Sequence, residues 1–217
     1  MIRKDPRRKL PIKLFRTRQA WETWLERHFS NSPGLWLRIA KKAARLATVT
    51  HGEALEVALC HGWIDGQRLS HDDQTFLQKF TPRGPRSVWS KINVGKVEAL
   101  IAEGRMREGG QDAVDLAKAD GRWSSAYHPQ RTATPPRDLL QALTRNPEAK
   151  ALWASLSSQN RYAILFRVTT ALRPETRAKR IARFVEMLAQ GKTIYPERSA
   201  SETTGRGGAA RTSGPRR

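Results

Sequence analysis

Between residues 20 and 102 the spacing of apolar residues switches between a helical period and a two-residue period. This restricts the chain to folds that mix helices with a small sheet. Trp21, Trp24, Leu25 and His28 fall at i, i+3, i+4 and i+7, one face of a helix ending near Phe29. Ser30–Asn31–Ser32–Pro33–Gly34 stops it. Leu35, Leu37 and Ile39 then alternate with Trp36, Arg38 and Ala40, the mark of a strand. Thr50 followed by Glu53 is a capping box, and Gly62 is placed to close that helix in the left-handed conformation. Residues 63–83 read as two extended segments around a polar turn, Ser70–His71–Asp72–Asp73, with Phe76 and Phe80 on one face of the second.

Beyond Pro82–Arg83–Gly84–Pro85 the pattern is helical. Val94, Val97, Leu100 and Ile101 share a face and Gly104 closes that element; Gly104–Gly110 reads as loop punctuation, and a shorter helix near Ala113–Ala119 ends at Gly121. The consecutive prolines of TATPPRD make an extended linker. Asn146–Pro147–Glu148 starts a helix with a capping side chain, a proline at the first position and a carboxylate at the positive dipole end. Ser158 caps the next. The last follows Pro174–Glu175, with Ile181, Phe184, Val185 and Leu188 on its stripe and Lys179, Arg180 and Arg183 beside it. The fold class is α+β: a small, mostly antiparallel sheet of about three strands packed with helices, followed by a C-terminal helical portion. Residues 15–130 form the α+β domain and 131–195 the helical portion; whether they share one core stays open. Residues 1–14 and 196–217 hold too little apolar surface to offset chain entropy and are expected to be disordered basic arms.

Charge narrows the functional classes. Forty Lys and Arg face twenty Asp and Glu, a formal +20 with a pI near 11.2. Residues 1–18 carry +7, residues 196–217 carry +3, and residues 19–195 keep +10. Such a surplus points to polyanionic partners. The single cysteine, Cys60, excludes an intramolecular disulfide and any paired-cysteine zinc framework. No apolar run reaches the roughly 18 residues of a membrane span, and the basic amino terminus is not followed by the apolar region of a signal peptide. A reducing, cytoplasmic setting is expected.

Two clusters carry candidate chemistry. From Phe80 to Lys91, Arg83, Arg86 and Lys91 surround Phe80 and Trp89, the alternation of cation and ring that a nucleic-acid surface uses for phosphate grip and base stacking. Lys179, Arg180 and Arg183 would extend that surface if the fold brings them near; otherwise Trp89 staples the next helix and the cations are simply solvated. The second cluster, Cys60, Trp63, Asp65 and Phe80, outlines a pocket for an enzyme or small-molecule binder. Against a nucleophilic role, Cys60 ends a helix where the carbonyl field raises a thiol's pKa, and His61 beside it points elsewhere. Cys60 is then a small core residue and Asp65 an anchoring acceptor. His28 lies on an apolar face as a packed histidine, the letters around His51 and His128 do not reveal what either meets, and His71–Asp72–Asp73 lacks the spacing of a ligand set. No phosphate-loop, nucleophile-elbow or zinc-helix motif occurs, and neither a cofactor nor a metal site is indicated.

The runs EALEVALCHGWIDGQ, FLQKFTPRGPRSVWSKINVGKVEALIAEGRM, AKADGRW, SAYHP and NRYAILFRVTTALRPETRAKRIARFVEMLAQGKTIYP together resemble the YdeI/OmpD-associated family, also labelled bacteriocin-protection proteins. The likeness extends from Trp21 to Pro196; His61 stands where the family pattern has an aromatic, and both basic ends lie outside it. The resemblance implies a bacterial protein linked by name to resistance against bacteriocins or cationic peptides, and supplies no catalytic residue. A +20 chain repels a cationic peptide, so any protection runs through a polyanion, an acidic partner or regulation. The expectation is a non-enzymatic cytoplasmic protein that engages a polyanion, DNA or RNA; the alternatives are the pocket enzyme or binder and an adaptor for protein partners.

Overall fold

In the computed structural model, which describes residues 10–197, the first regular element is a two-residue strand, β1 (Ile12–Lys13). Its presence corrects the extent of the amino-terminal arm. The Pro11 carbonyl accepts a hydrogen bond from the Trp36 amide at 2.9 Å, and the Phe15 ring packs on Trp21 and Trp24. The rest of the expected arms, residues 1–9 and 198–217, lies outside the described residues. The chain divides into two units, Met1–Ala133 and Thr134–Arg217.

In the first unit, α1 (Arg18–His28) starts where the Thr17 hydroxyl accepts from the Ala20 amide. Strand β2 (Leu35–Ala40) follows, then α2 (His51–Cys60), whose capping box is complete: the Glu53 amide donates to the Thr50 hydroxyl and the Thr50 amide to the Glu53 carboxylate. Strands β3 (Trp63–Ser70) and β4 (Thr75–Pro82) come next, and the sheet order is β1-β2-β4-β3. The sheet has four strands and is mixed, because β1 runs parallel to β2. Asp72 anchors the β3–β4 turn: one carboxylate oxygen accepts from the Gln74 and Thr75 amides and the Thr75 hydroxyl, the other from Arg38 at 2.8 Å. A bulge separates Asp65 from Arg68 on β3, and buried Gln78 donates its amide to the Gly66 and Gln67 carbonyls released there.

The core of this unit has two clusters. One joins α1, α2 and the sheet through Trp21, Leu25, Trp63, Phe76 and Phe80. Trp21 is fully buried, stacks on Trp24 with centroids 5.5 Å apart, meets Trp63 and Phe80, and donates its indole N–H to the Ala54 carbonyl at 3.1 Å. The other joins α2 to α3 (Lys91–Ala102) and α4 (Glu108–Ala119) through Leu59, Cys60, Trp89, Val97 and Val114. Ile101, expected on the apolar face of α3, is exposed. Gly109 and Gly110 belong to α4 rather than to a loop, and they are the point at which its first turn meets the end of α2. A Cβ at Gly110 would fall inside the Cys60 carbonyl, and the Arg107 amide donates to that same oxygen at 3.0 Å.

The second unit is helical: α5 (Arg137–Thr144), α6 (Pro147–Ser155), α7 (Ser158–Thr169) and α8 (Pro174–Ala189). Asn146 caps α6 through the Ala149 amide, and Ser157, one residue before the expected cap, accepts from Asn160 at the start of α7. Leu139, Trp153, Ile164, Ile181, Phe184 and Leu188 are buried. Pro196 and Glu197, assigned by sequence to a disordered tail, are held. Glu197 accepts from the Ser157 amide and the buried Asn160 side chain, which holds its carboxyl below the usual range, and Asn160 also pairs with both backbone groups of Tyr195.

Candidate functional site

The aromatic at the heart of the expected phosphate-and-base surface is inside the protein. Trp89 is 1% exposed: the Arg83 guanidinium lies over its ring at 3.5 Å from the centroid, and the Trp123 ring meets it in an edge contact at 4.8 Å. Phe80 is fully buried as well, because its position on β4 faces α1. Neither ring presents a face on which a base could stack, which corrects the sequence reading. The alternation of cation and ring here builds a covered tryptophan with arginine as its lid.

The surroundings of Trp89 draw in residues that the sequence reading left unassigned. Ser90 and Tyr127 form a bridge, with the Tyr127 amide donating to the Trp89 carbonyl and the Lys91 amide to the Tyr127 carbonyl. Arg122 is 6% exposed; its Nε donates to Asp120 at 2.7 Å and its Nη1 to the Ser87 carbonyl at 2.9 Å. Arg83 donates its Nη1 to the Val88 carbonyl at 3.4 Å. Burial pushes the Arg83 guanidinium down to about 10; Tyr127 and Asp65 oppose that shift and Arg122 adds to it. The Arg83 guanidinium keeps its charge at neutral pH. Burial raises the Tyr127 hydroxyl, against the pull of Arg83. His51, without a visible partner in sequence, sits 3.0 Å from the Asp65 carboxylate through its Nε2. Arg122 and Tyr127 lie in AKADGRW and SAYHP, runs that carried the family likeness, and nothing in their local spacing ties them to Arg83.

The other expected contact residues divide by unit. Arg86 and Lys91 are exposed in the first, Lys179 and Arg183 in the second, and none forms an ion pair among the described residues. Arg180 is already engaged, donating to the Arg167 carbonyl at the end of α7, while Arg177 reaches the Val168 carbonyl and pairs with Asp138 at 2.6 Å. Part of the cationic flank of α8 therefore caps a neighbouring helix.

The alternative pocket of Cys60, Trp63, Asp65 and Phe80 does not form as an open site. Trp63 is 1% exposed and gives its indole N–H to the Phe29 carbonyl at 3.0 Å; Phe80 shares its cluster, and Cys60 belongs to the other one. Only Asp65 reaches solvent, and it is paired with His51. Burial, aided by the Glu22 charge, pushes the Cys60 thiol up to about 11. Alkylation of the native protein by iodoacetamide at pH 8 should thus run at least on the order of a hundredfold slower than in denaturant. Equal rates in a stopped-time mass-spectrometric assay would contradict the buried assignment. His28 is satisfied, with Nδ1 2.7 Å from the Trp24 carbonyl and its ring stacked on Trp24.

Among the described residues no helix is long and apolar enough to cross a membrane. Comparison with curated proteins and with solved structures returned no match. Residues 13–113 match a domain of unknown function (DUF8412). Residues 132–191 match the family described as bacteriocin-protection, YdeI or OmpD-associated, so the likeness read across residues 21–196 is borne by that family over the second unit, with a separate domain in the first. Residues 132–191 thus form a domain of the bacteriocin-protection, YdeI or OmpD-associated family.

Proposed function

We propose that this protein is a non-enzymatic binder of a polyanion, nucleic acid in the first place, engaged through exposed cations rather than through rings. One observation carries the reading. Each unit keeps a surplus of positive charge, +6 over residues 10–133 and +6 over residues 134–197, and includes exposed cations with no acidic partner among the described residues: Arg86 and Lys91 in the first, Lys179 and Arg183 in the second. With Trp89 and Phe80 buried, the contacts left to it are phosphate contacts, which position a strand without reading its sequence. A nucleic-acid partner places the protein in the cytoplasm. Bacteriocin protection, which the family description names, then works downstream of the polyanion where the bacteriocin is cationic, since a +20 chain repels such a peptide.

The measurement is fluorescence anisotropy of labelled DNA and RNA oligonucleotides with the full chain. Affinity should fall by about 10³ between about 50 and 200 mM salt if about six phosphates are contacted, with little dependence on base sequence. Paired charge reversals, Arg86→Glu with Lys91→Glu or Lys179→Glu with Arg183→Glu, should each flatten the salt slope. Absence of binding at low salt, or a salt-insensitive affinity, would refute the reading.

A further inference from the structure

Around Trp89 the first unit holds four buried nitrogen donors with no partner among the described residues: Nε and Nη2 of Arg83, Nη2 of Arg122 and Nε1 of Trp89. Every one is a donor, and three belong to guanidiniums. Buried donors are almost always paired, so a group of them on one stacked and bridged assembly calls for an acceptor that the described residues do not supply. The two orphans of Arg83 are chemically specific. Nε and Nη2 form the side-on edge of a guanidinium, the edge that grips two oxygens of one oxyanion in parallel hydrogen bonds, while Nη1 on the other edge is held by the Val88 carbonyl.

The arrangement is built to keep that edge in place. Stacking on Trp89 fixes the guanidinium plane, Trp123 backs the indole, and the Ser90–Tyr127 bridge fixes the backbone beneath it. Arg122 is nine-tenths buried, oriented by Asp120 and the Ser87 carbonyl, and spends two of its three nitrogens there, leaving Nη2. A neighbouring like charge is unfavourable to Arg83 by itself and becomes favourable when an anion sits beside both.

We propose that Arg83 and Arg122, with the Trp89 indole N–H, form a binding site for a phosphate group, either inorganic phosphate or the terminal group of a phosphomonoester. The tetrahedral oxygens of a phosphate can meet the Arg83 edge and also a donor well outside that plane, where the acceptor sites of a carboxylate all lie in one plane. Beside the site runs the turn Gly84–Ser87, held by the Gly84 amide on the Ser87 hydroxyl and the Ser87 amide on the Gly84 carbonyl; this turn carries the Ser87 carbonyl that orients Arg122. The site is independent of the polyanion reading. It takes one phosphate end, where the surface cations take the repeated phosphates of a strand.

Isothermal titration calorimetry on the full chain, at constant ionic strength maintained with chloride, tests it with inorganic phosphate, phenyl phosphate and acetate. Saturable one-site binding of phosphate or phenyl phosphate is expected, with acetate at least tenfold weaker. Arg83→Lys keeps the charge but loses both the planar stack and the two-pronged edge, and should weaken phosphate at least tenfold. Arg27→Gln removes one exposed charge from α1 and should leave the affinity unchanged. A stronger response to phenyl phosphate identifies an ester as the ligand, and a response to phosphate alone identifies the free ion; both support the site. No saturable binding to the wild-type chain, equal affinities for acetate and phosphate, or an Arg83→Lys protein that is folded by near-ultraviolet circular dichroism and binds phosphate as the wild type does, would each overturn it.

Discussion

Replacing Trp21 with alanine lowers the stability of the first unit by about 3–5 kcal/mol, the range for a large aromatic removed from a closed core. The size follows from position. The side chain is fully buried, touches the rings of Phe15, Trp24, Trp63 and Phe80, and so joins α1 to β3, β4 and the segment before α1. Its N–H also satisfies the Ala54 carbonyl inside α2, and alanine leaves that acceptor without its side-chain partner, although the helix still uses the oxygen's other lone pair. Urea unfolding followed by circular dichroism measures the loss; less than about 1 kcal/mol would mean that the cluster collapses around the gap and that Trp21 is not its centre.

Gly110→Ala is expected to be comparably damaging, at least about 3 kcal/mol, for the opposite reason: an added atom where backbone meets backbone. Its methyl group would overlap the Cys60 carbonyl, and Leu59 O lies only 2.8 Å from the same point, so no side chain can swing aside to make room. The control is Gly95→Ala in α3, where nothing lies within 4 Å of the new carbon. There the change should stabilise by about 0.5–1 kcal/mol, the ordinary gain of alanine over glycine in a helix. The same urea titration on both variants decides: similar effects at the two positions would show that α4 does not depend on contact with α2.

How much of this was visible in the letters depends on the range of each interaction. The Thr50–Glu53 box and the Asn146 cap operate within three residues, and the structure has both where the sequence places them. Gly110 was misread as loop punctuation because its constraint comes from Cys60, fifty positions earlier, and a pair of glycines reads as a break unless the opposing chain is known. The site shows the same division. Arg83 and Trp89 flank one short loop and could be linked from sequence, whereas Tyr127 reaches them through the Ser90–Tyr127 bridge and Arg122 through the Ser87 carbonyl. Cations interleaved with rings describe an open stacking platform and an arginine-covered indole equally well; burial separates them, and burial depends on distant Trp123 and Val97. The two-residue strand β1 was missed because Ile12 and Lys13 sit between prolines and basic residues, and their pairing is set by β2.

The bulge on β3 has a bearing on self-association. That strand ends the sheet, and its residues from Gln67 to Ser70 are exposed, so a straight ladder there would be a template for a second copy to extend. The shift between Asp65 and Arg68 interrupts the regular sequence of amides and carbonyls, Gln78 draws two of those carbonyls inward, and Arg68 stations a charge over Phe76. At the opposite border the strand is two residues long, too short to seed growth. Both margins of this sheet discourage the edge-to-edge addition of strands that leads to fibrils.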